Sequence, residues 1–187
     1  LGMLNVLNTD NHSIYLASEF NTTDGPFESS QNFYRTNVLA KYTGNINKVD
    51  KISFLASYFE SRWDASGQVP TREINNGNIS RFGSIDDTEG GNTGRINLRF
   101  NYLKNIDKTS FLRSNVYYSK YDFELFSNFT FFLNDPINGD QIKQKESRNI
   151  FGVNSEYNKS FAFGNHDGLI QIGVELRNDL SKDNELS

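Results

Sequence analysis

Alternation of apolar and polar side chains at every second residue is the feature that most constrains the fold of this chain. The pattern is clearest over residues 95–102, where Ile96, Leu98 and Phe100 alternate with arginine and asparagine residues. Such a period places successive side chains on opposite faces of a β-strand, whereas an amphipathic helix repeats its apolar positions about every 3.6 residues. Because helical periodicity is weak along the chain, the sequence predicts an all-β protein.

The alternation recurs in segments that are long for a globular protein. It covers residues 1–7, 13–20, 34–42, 51–62, 95–102, 111–126, 149–157 and 168–180. Globular strands usually have about five or six residues, and a strand tilted by about 45° crosses a bilayer in roughly 9–11. We therefore predict an antiparallel up-and-down meander of about eight long strands. Because the first segment is too short to span, the meander is expected to be part of a larger transmembrane β-barrel.

Short and long connections alternate along the chain. Short polar turns are predicted at residues 8–12, 44–50, 104–109 and 159–167, and long connections at 21–32, 63–93 and 127–147. In a meander every second connection lies on the same side of the sheet, so the short turns share one rim and the long loops share the other. Outer-membrane barrels have this asymmetry, with short periplasmic turns and longer extracellular loops.

Tyrosines lie near the ends of the apolar faces, where a ring can sit at a membrane interface with its hydroxyl in water. The six are Tyr34, Tyr42, Tyr58, Tyr102, Tyr118 and Tyr157. Charged side chains recur on the opposite face, which in a wide barrel would line water or hold a plug domain. These charged residues are Arg35, Lys41, Arg95, Arg99, Arg113, Glu156, Glu175 and Arg177.

The composition argues against several classes of protein. The 187 residues include no cysteine and two histidines, which removes thiol chemistry and makes a multi-histidine metal site hard to build. The net charge of −4 argues against a nucleic-acid partner. No catalytic constellation or cofactor motif is present, so we expect no enzymatic activity. Asp86, Asp87 and Glu89 could bind a hard cation, but an acidic loop with glycines is usually a solvated turn, and no metal site is predicted.

Four stretches resemble the barrel domain of TonB-dependent outer-membrane receptors. They are DGPFESSQNFYRTNVLAKYTG, SRWDASGQVP, ISRFGSIDDTEGGNTGR and LFSNFTFFLNDPINGDQI, and the resemblance runs from about residue 24 to about residue 157. It implies a barrel of about 22 strands, closed by a plug domain, in the bacterial outer membrane. Such receptors import scarce nutrients, such as iron complexes, cobalamin or oligosaccharides, with energy delivered by TonB and ExbB–ExbD.

Residues 1–187 are accordingly expected to be a partial barrel domain, without the plug domain, the TonB box or the remaining strands. No signal peptide is visible at the start of the chain and its end is polar, so we expect an excerpt from a longer polypeptide; a complete small protein is the alternative. The expected partners are outer-membrane lipid, the nutrient ligand and, through the plug domain, TonB–ExbB–ExbD.

The resemblance supplies no catalytic motif, and the ligand is expected to bind to the long loops. The predicted ligand-binding residues are those that can stack or ion-pair, namely Trp63, Arg72, Arg81, Phe82, Asp86 and Asp87. For each of the six, and above all for Trp63 and Phe82, packing within the loops is the alternative.

Two other functions are compatible with an all-β chain. A soluble β-sandwich adhesin or carbohydrate-binding module would use the apolar face as its core between two sheets. A barrel enzyme such as a membrane lipase would need a serine and a histidine on one rim, but His12 and His166 lie on the predicted short-turn side.

Overall fold

Eight antiparallel strands form one continuous sheet in the computed structural model, which describes residues 1–137 and 139–187. Each strand pairs with the next along the chain, in the order β1 to β8. The strands are β1 Gly2–Asn8, β2 His12–Thr23, β3 Phe33–Asn45, β4 Lys51–Asp64, β5 Gly90–Asn105, β6 Ser110–Ser127, β7 Ile142–Phe163 and β8 His166–Leu186. The predicted all-β meander of eight long strands is confirmed.

The connections divide the sheet into two unlike rims. Short turns at residues 9–11, 46–50, 106–109 and 164–165 form the short-turn rim. The other rim, called the long-loop rim, carries loops L1 (residues 24–32), L2 (65–89) and L3 (128–141). L2 contains one short helix, α1 Thr71–Asn75, which begins after Pro70. Proline is suited to a helix start because its missing N–H needs no partner there. The predicted alternation of short and long connections is confirmed.

Several strands extend beyond the limits predicted from alternation. The turn predicted at residues 159–167 contains only residues 164–165, and β7 begins at Ile142 instead of near Asn149. Residues 143–148 are polar on both faces, so a period-two pattern does not mark them, and residues 159–163 precede Gly164 and Asn165, which favour a turn. Backbone pairing nevertheless continues there, because each unpaired N–H and C=O gains a partner from the neighbouring strand.

The strand register gathers the apolar positions onto one side of the sheet, called the apolar face. Across five strands, Ala40 pairs with Ala56, Ala56 with Leu98, Leu98 with Tyr118, and Tyr118 with Phe151. Many of the large side chains of this face are exposed and the others are half-buried, and none of the described apolar residues is buried. No second layer covers the face in the described part of the chain, which forms a single sheet whose edge strands β1 and β8 do not pair with each other. The sheet is therefore open and not closed into a barrel.

The opposite side, called the polar face, carries hydrogen-bonded rows across strands β4, β5 and β6. Asn97 donates from Nδ2 to Ser57 Oγ at 3.0 Å and accepts at Oδ1 from Ser119 Oγ at 2.8 Å. A second row, four residues along β5 toward the short-turn rim, joins Ser53, Asn101 and Asn115 in the same way. In these rows the side-chain amides and hydroxyls bond to each other and not to water. The bonds between strands add to the stabilisation that the backbone hydrogen bonds provide.

All six predicted interfacial tyrosines lie on the apolar face, as the register requires. Toward the long-loop rim, Tyr34 and Tyr58 both donate to the Glu60 carboxylate, and near the middle of β6 Tyr118 donates to Asn149 at 2.7 Å. Toward the short-turn rim, the Tyr42 hydroxyl lies 2.9 Å from His12 Nδ1. The apolar side chains between them are thus bounded by polar groups at both ends.

Among the described residues, no helix has the length and apolar character needed to cross a membrane.

Candidate functional site

The three long loops meet above one rim of the sheet, with L2 between L1 and L3. L1 joins L2 through backbone and ring contacts: the Glu28 N–H donates to the Phe82 carbonyl at 3.0 Å, and the Phe27 and Phe82 rings meet edge to face at 6.2 Å. At the base of the loops, Asn32 Nδ2 donates to Asp64 Oδ2 at 2.8 Å. L1 therefore holds the side of L2 that faces β3.

Asp86 joins L2 to L3. Its Oδ1 accepts the Thr88 backbone N–H at 3.0 Å, and its Oδ2 accepts Asn128 Nδ2 at 2.9 Å. A second bond between these loops runs from Gln141 Nε2 to Thr88 Oγ1 at 2.6 Å. Partial burial opposes ionisation of Asp86, but hydrogen bonds from Thr88 and Asn128 outweigh it and hold the pKa of this carboxyl below its usual range.

Glu89 lies beneath this junction and is only 7 % exposed. Its carboxylate receives the Asn128 backbone N–H, while its Oε1 has no hydrogen-bond partner among the described protein atoms. Burial, with a smaller contribution from the charge of Asp86, raises the pKa of the Glu89 carboxyl. Gly67 makes room for this side chain, since a Cβ at Gly67 would overlap the Glu89 carboxylate.

Trp63 lies in the last residues of β4 and not in the loop, where the sequence interpretation had placed it. Its backbone pairs with Gly91 of β5, and a Cβ on Gly91 would lie 3.0 Å from Trp63 Cζ2. The indole ring is half-buried against this glycine. Because Gly91 has no side chain, the indole ring can pack on the sheet surface at this position below L2.

The other predicted ligand-binding residues are divided between loop packing and solvent. Phe82 and Asp86 form the loop contacts described above, so both side chains connect L2 to a neighbouring loop. Arg72, in helix α1, pairs through Nε with Glu73 Oε1 at 3.2 Å and is otherwise open to solvent. Arg81 and Asp87 are exposed. The six residues thus belong to one rim but do not converge on one point.

A groove between L2 and L3 was not predicted from the sequence. It has a volume of about 460 Å³ and is lined by Pro70, Arg72, Glu73, Ile79 and Ile85 of L2 and by residues 130–133 of L3. The signal in the sequence is the run FTFFL at 129–133, in which four of five residues are large and apolar although the segment is a loop. Phe132 is 52 % and Leu133 75 % exposed. Loops rarely expose such a cluster without a partner.

The L3 backbone is held in a fixed shape around this run. Phe131 has a φ of +60°, a conformation that is unfavourable for a bulky side chain. Its N–H donates to Asn128 Oδ1 at 2.7 Å and its carbonyl accepts the Asp140 N–H at 2.6 Å, so both of its backbone groups are tied. The Asp140 carboxylate also accepts the backbone N–H of Asn134 at 3.0 Å and of Asp135 at 2.7 Å.

The site offers stacking, apolar contact and ion pairing. Within residues 1–137 and 139–187, no three histidine or carboxylate side chains are placed to hold a metal ion together. Asp86 uses both carboxylate oxygens for loop contacts, which leaves little capacity for a cation.

No family model, no curated protein and no solved structure matches this chain.

Proposed function

We propose that this chain is a segment of the barrel wall of a TonB-dependent outer-membrane receptor, which takes up a scarce nutrient such as an iron complex, cobalamin or an oligosaccharide. The observation that carries the proposal is the exposed apolar face bounded by hydrogen-bonded tyrosines at both ends. Water would disfavour such a face, whereas the hydrocarbon of a bilayer would solvate it.

The height of the apolar face supports this proposal. Tyr34 and Tyr42 lie at opposite ends of it on β3, eight positions apart, which corresponds to about 27 Å along a strand rising about 3.4 Å per residue. With the strand tilted by about 40°, the apolar part would be about 20 Å tall, close to the roughly 25 Å apolar height of outer-membrane barrels.

The open edges and the polar face support a wall segment in particular. β1 and β8 both expose unpaired backbone groups along an edge, which further strands of a larger barrel would satisfy. The polar face, with its arginine, glutamate and asparagine side chains, would line the lumen beside a plug domain. Energy transfer would then pass through that plug to TonB–ExbB–ExbD, and the long loops would form the outer, ligand-receiving side.

Cysteine labelling tests the membrane topology. The chain contains no cysteine, so a single substitution gives these 187 residues one defined labelling position, and the unsubstituted protein measures the background. In intact cells, a maleimide too large for porins should label Asn76→Cys in L2, but should label Lys108→Cys on the short-turn rim only after the outer membrane is permeabilised. Equal labelling at both positions, or recovery of the protein in the soluble fraction as expected of a β-sandwich adhesin, would contradict the proposal.

Growth tests the transport function. A deletion strain is grown on a panel of limiting nutrients, each supplied as the sole source of iron, cobalt or carbon. The proposal predicts a defect on one nutrient class, and that uptake stops when the proton gradient is collapsed. A strain that grows like the parent on the whole panel would count against a receptor.

A further inference from the structure

We propose that the groove between L2 and L3 binds a small amphipathic anion, in which an apolar or aromatic group lies next to a carboxylate. This inference rests on the proposed receptor function and narrows its ligand class. The groove volume of about 460 Å³ lies in the range of small-molecule sites and would hold a group about the size of a dipeptide.

The lining of the groove determines the apolar part of the ligand. Ile79, Ile85 and Leu133 provide aliphatic surface, and Phe132 provides an aromatic face. Carbohydrate hydroxyls need many side-chain or backbone hydrogen-bond partners when they are bound, and this lining supplies few. Apolar contact is therefore the main attraction that the groove can offer.

Arg72 determines the charged part. Its guanidinium uses Nε for Glu73, at 3.2 Å, and none of the described hydrogen bonds engages its two terminal nitrogens. Its side chain is 80 % exposed at the groove edge. Glu73, the acidic residue beside it, is already engaged by Asn78 Nδ2 at 2.8 Å, and that bond, with the one from Arg72, lowers the pKa of the Glu73 carboxyl. The terminal nitrogens of Arg72 can thus bind a carboxylate in the paired geometry that guanidinium favours.

The loop contacts form the groove before any ligand arrives. L2 and L3 are joined through Asp86–Asn128 and Thr88–Gln141, and the strained Phe131 backbone is held by bonds on both sides. Backbone strain of this kind occurs at ligand-binding loops when surrounding contacts maintain it. A preformed groove loses less conformational entropy on binding than a loop that must become ordered.

The test compares two probes, N-acetyl-Phe-Phe with a free carboxylate and the same peptide as its neutral amide. Their affinities for the full-length protein in lipid nanodiscs are measured by calorimetry, with empty nanodiscs as the correction for lipid partitioning. The free carboxylate should bind about tenfold more tightly than the amide, a difference of about 1.4 kcal/mol, because only the carboxylate can form a charged hydrogen-bond pair with Arg72.

Variants separate the two parts of the site. Arg72→Gln should remove the preference for the carboxylate, Arg72→Lys should keep part of it, and Leu133→Asn should weaken both probes alike. Lys48→Gln, on the short-turn rim, is the matched control for loss of a positive charge and should change neither affinity. Equal affinity for the two probes in the unsubstituted protein, or a preference that survives Arg72→Gln, would overturn the inference. If the labelling pattern described above holds while neither probe binds, this inference fails and the receptor proposal stands.

Discussion

Single carboxylates in the loops have opposite effects on how firmly L2 is held. Asp86 is ionised and accepts bonds from both L2 and L3, so its charge is useful to the folded loops. Glu89 is buried with one oxygen that no described group engages, so its charge is costly. Their pKa values are shifted in opposite directions for this reason.

Replacing Asp86 by alanine is expected to loosen L2 and L3 without unfolding the sheet. The lost bonds to a charged, partly exposed acceptor correspond to about 1–2 kcal/mol, or roughly tenfold faster amide exchange in both loops. Hydrogen exchange measured by mass spectrometry checks this, with Asp87→Ala as the control because Asp87 is exposed. Unchanged exchange in L3 would show that the Asp86–Asn128 contact does not join the loops.

Replacing Glu89 by glutamine is expected to protect L2 at neutral pH. Because its folded-state pKa is raised above the ordinary 4.5, protonated Glu89 favours the folded loop at low pH, and that contribution is lost as pH rises through the raised pKa. Exchange in L2, corrected for its intrinsic pH dependence, should be slower in Glu89→Gln at pH 7.5, and the difference should shrink toward pH 4.5. A difference independent of pH would contradict this assignment.

At the scale of elements, the two faces of each strand experience different surroundings. Val38 lies midway between Tyr34 and Tyr42 on the apolar face and is 42 % exposed, while its neighbour Asn37 points to the polar face. Adjacent positions in one strand therefore provide matched tests of the two environments.

Val38→Lys is expected to impair membrane assembly, and Asn37→Lys to be tolerated. A lysine on the lipid face near the bilayer midplane costs about 2–4 kcal/mol, whereas a lumen-facing lysine can remain in water. The yield of folded protein in the outer-membrane fraction, measured by heat-modifiable gel mobility, distinguishes the two. Equal yields would mean that the apolar face does not contact lipid.

Gly91→Ala is expected to disturb the end of β5 and to move Trp63. The new methyl group would lie 2.5 Å from the Glu124 carbonyl oxygen and 3.0 Å from the indole, an overlap that costs about 1–3 kcal/mol. Trp63 is the single tryptophan of the chain, so its fluorescence maximum should shift to longer wavelength. Gly94→Ala is the control, because its nearest neighbour would be 3.9 Å away. An unshifted spectrum in Gly91→Ala would refute the packing of Trp63 on Gly91.

The strands could be predicted from the sequence where one face is apolar and the other polar. They could not be predicted where both faces are polar. The segment 95–102 lies inside β5 as expected, because its apolar side chains mark one face. The added residues of β7, from Ile142 to Arg148, carry no such mark, since polar side chains lie on both faces there. The contact between Asp86 and Asn128 joins residues far apart in the chain, so no local sequence pattern predicts it.

On the scale of the whole molecule, the sheet has the organisation expected of a membrane wall. Its apolar face is uncovered, its polar face is internally hydrogen-bonded, and its loops are concentrated on one rim. Under the barrel-wall proposal hydrocarbon covers this face, which no second layer covers among the described residues. A barrel wall requires that alternate side chains of each strand contact lipid and water in turn.

Spin-label accessibility along β3 tests that claim most directly. Nitroxide labels are placed on cysteines introduced singly at residues 34–42 of the full-length protein in lipid bilayers, and their collisions with oxygen and with a water-soluble nickel complex are measured. Oxygen, which concentrates in hydrocarbon, should relax the labels at even-numbered positions most strongly, and nickel should relax those at odd-numbered positions. A profile without a period of two, or with both sets of positions equally accessible to nickel, would contradict the account.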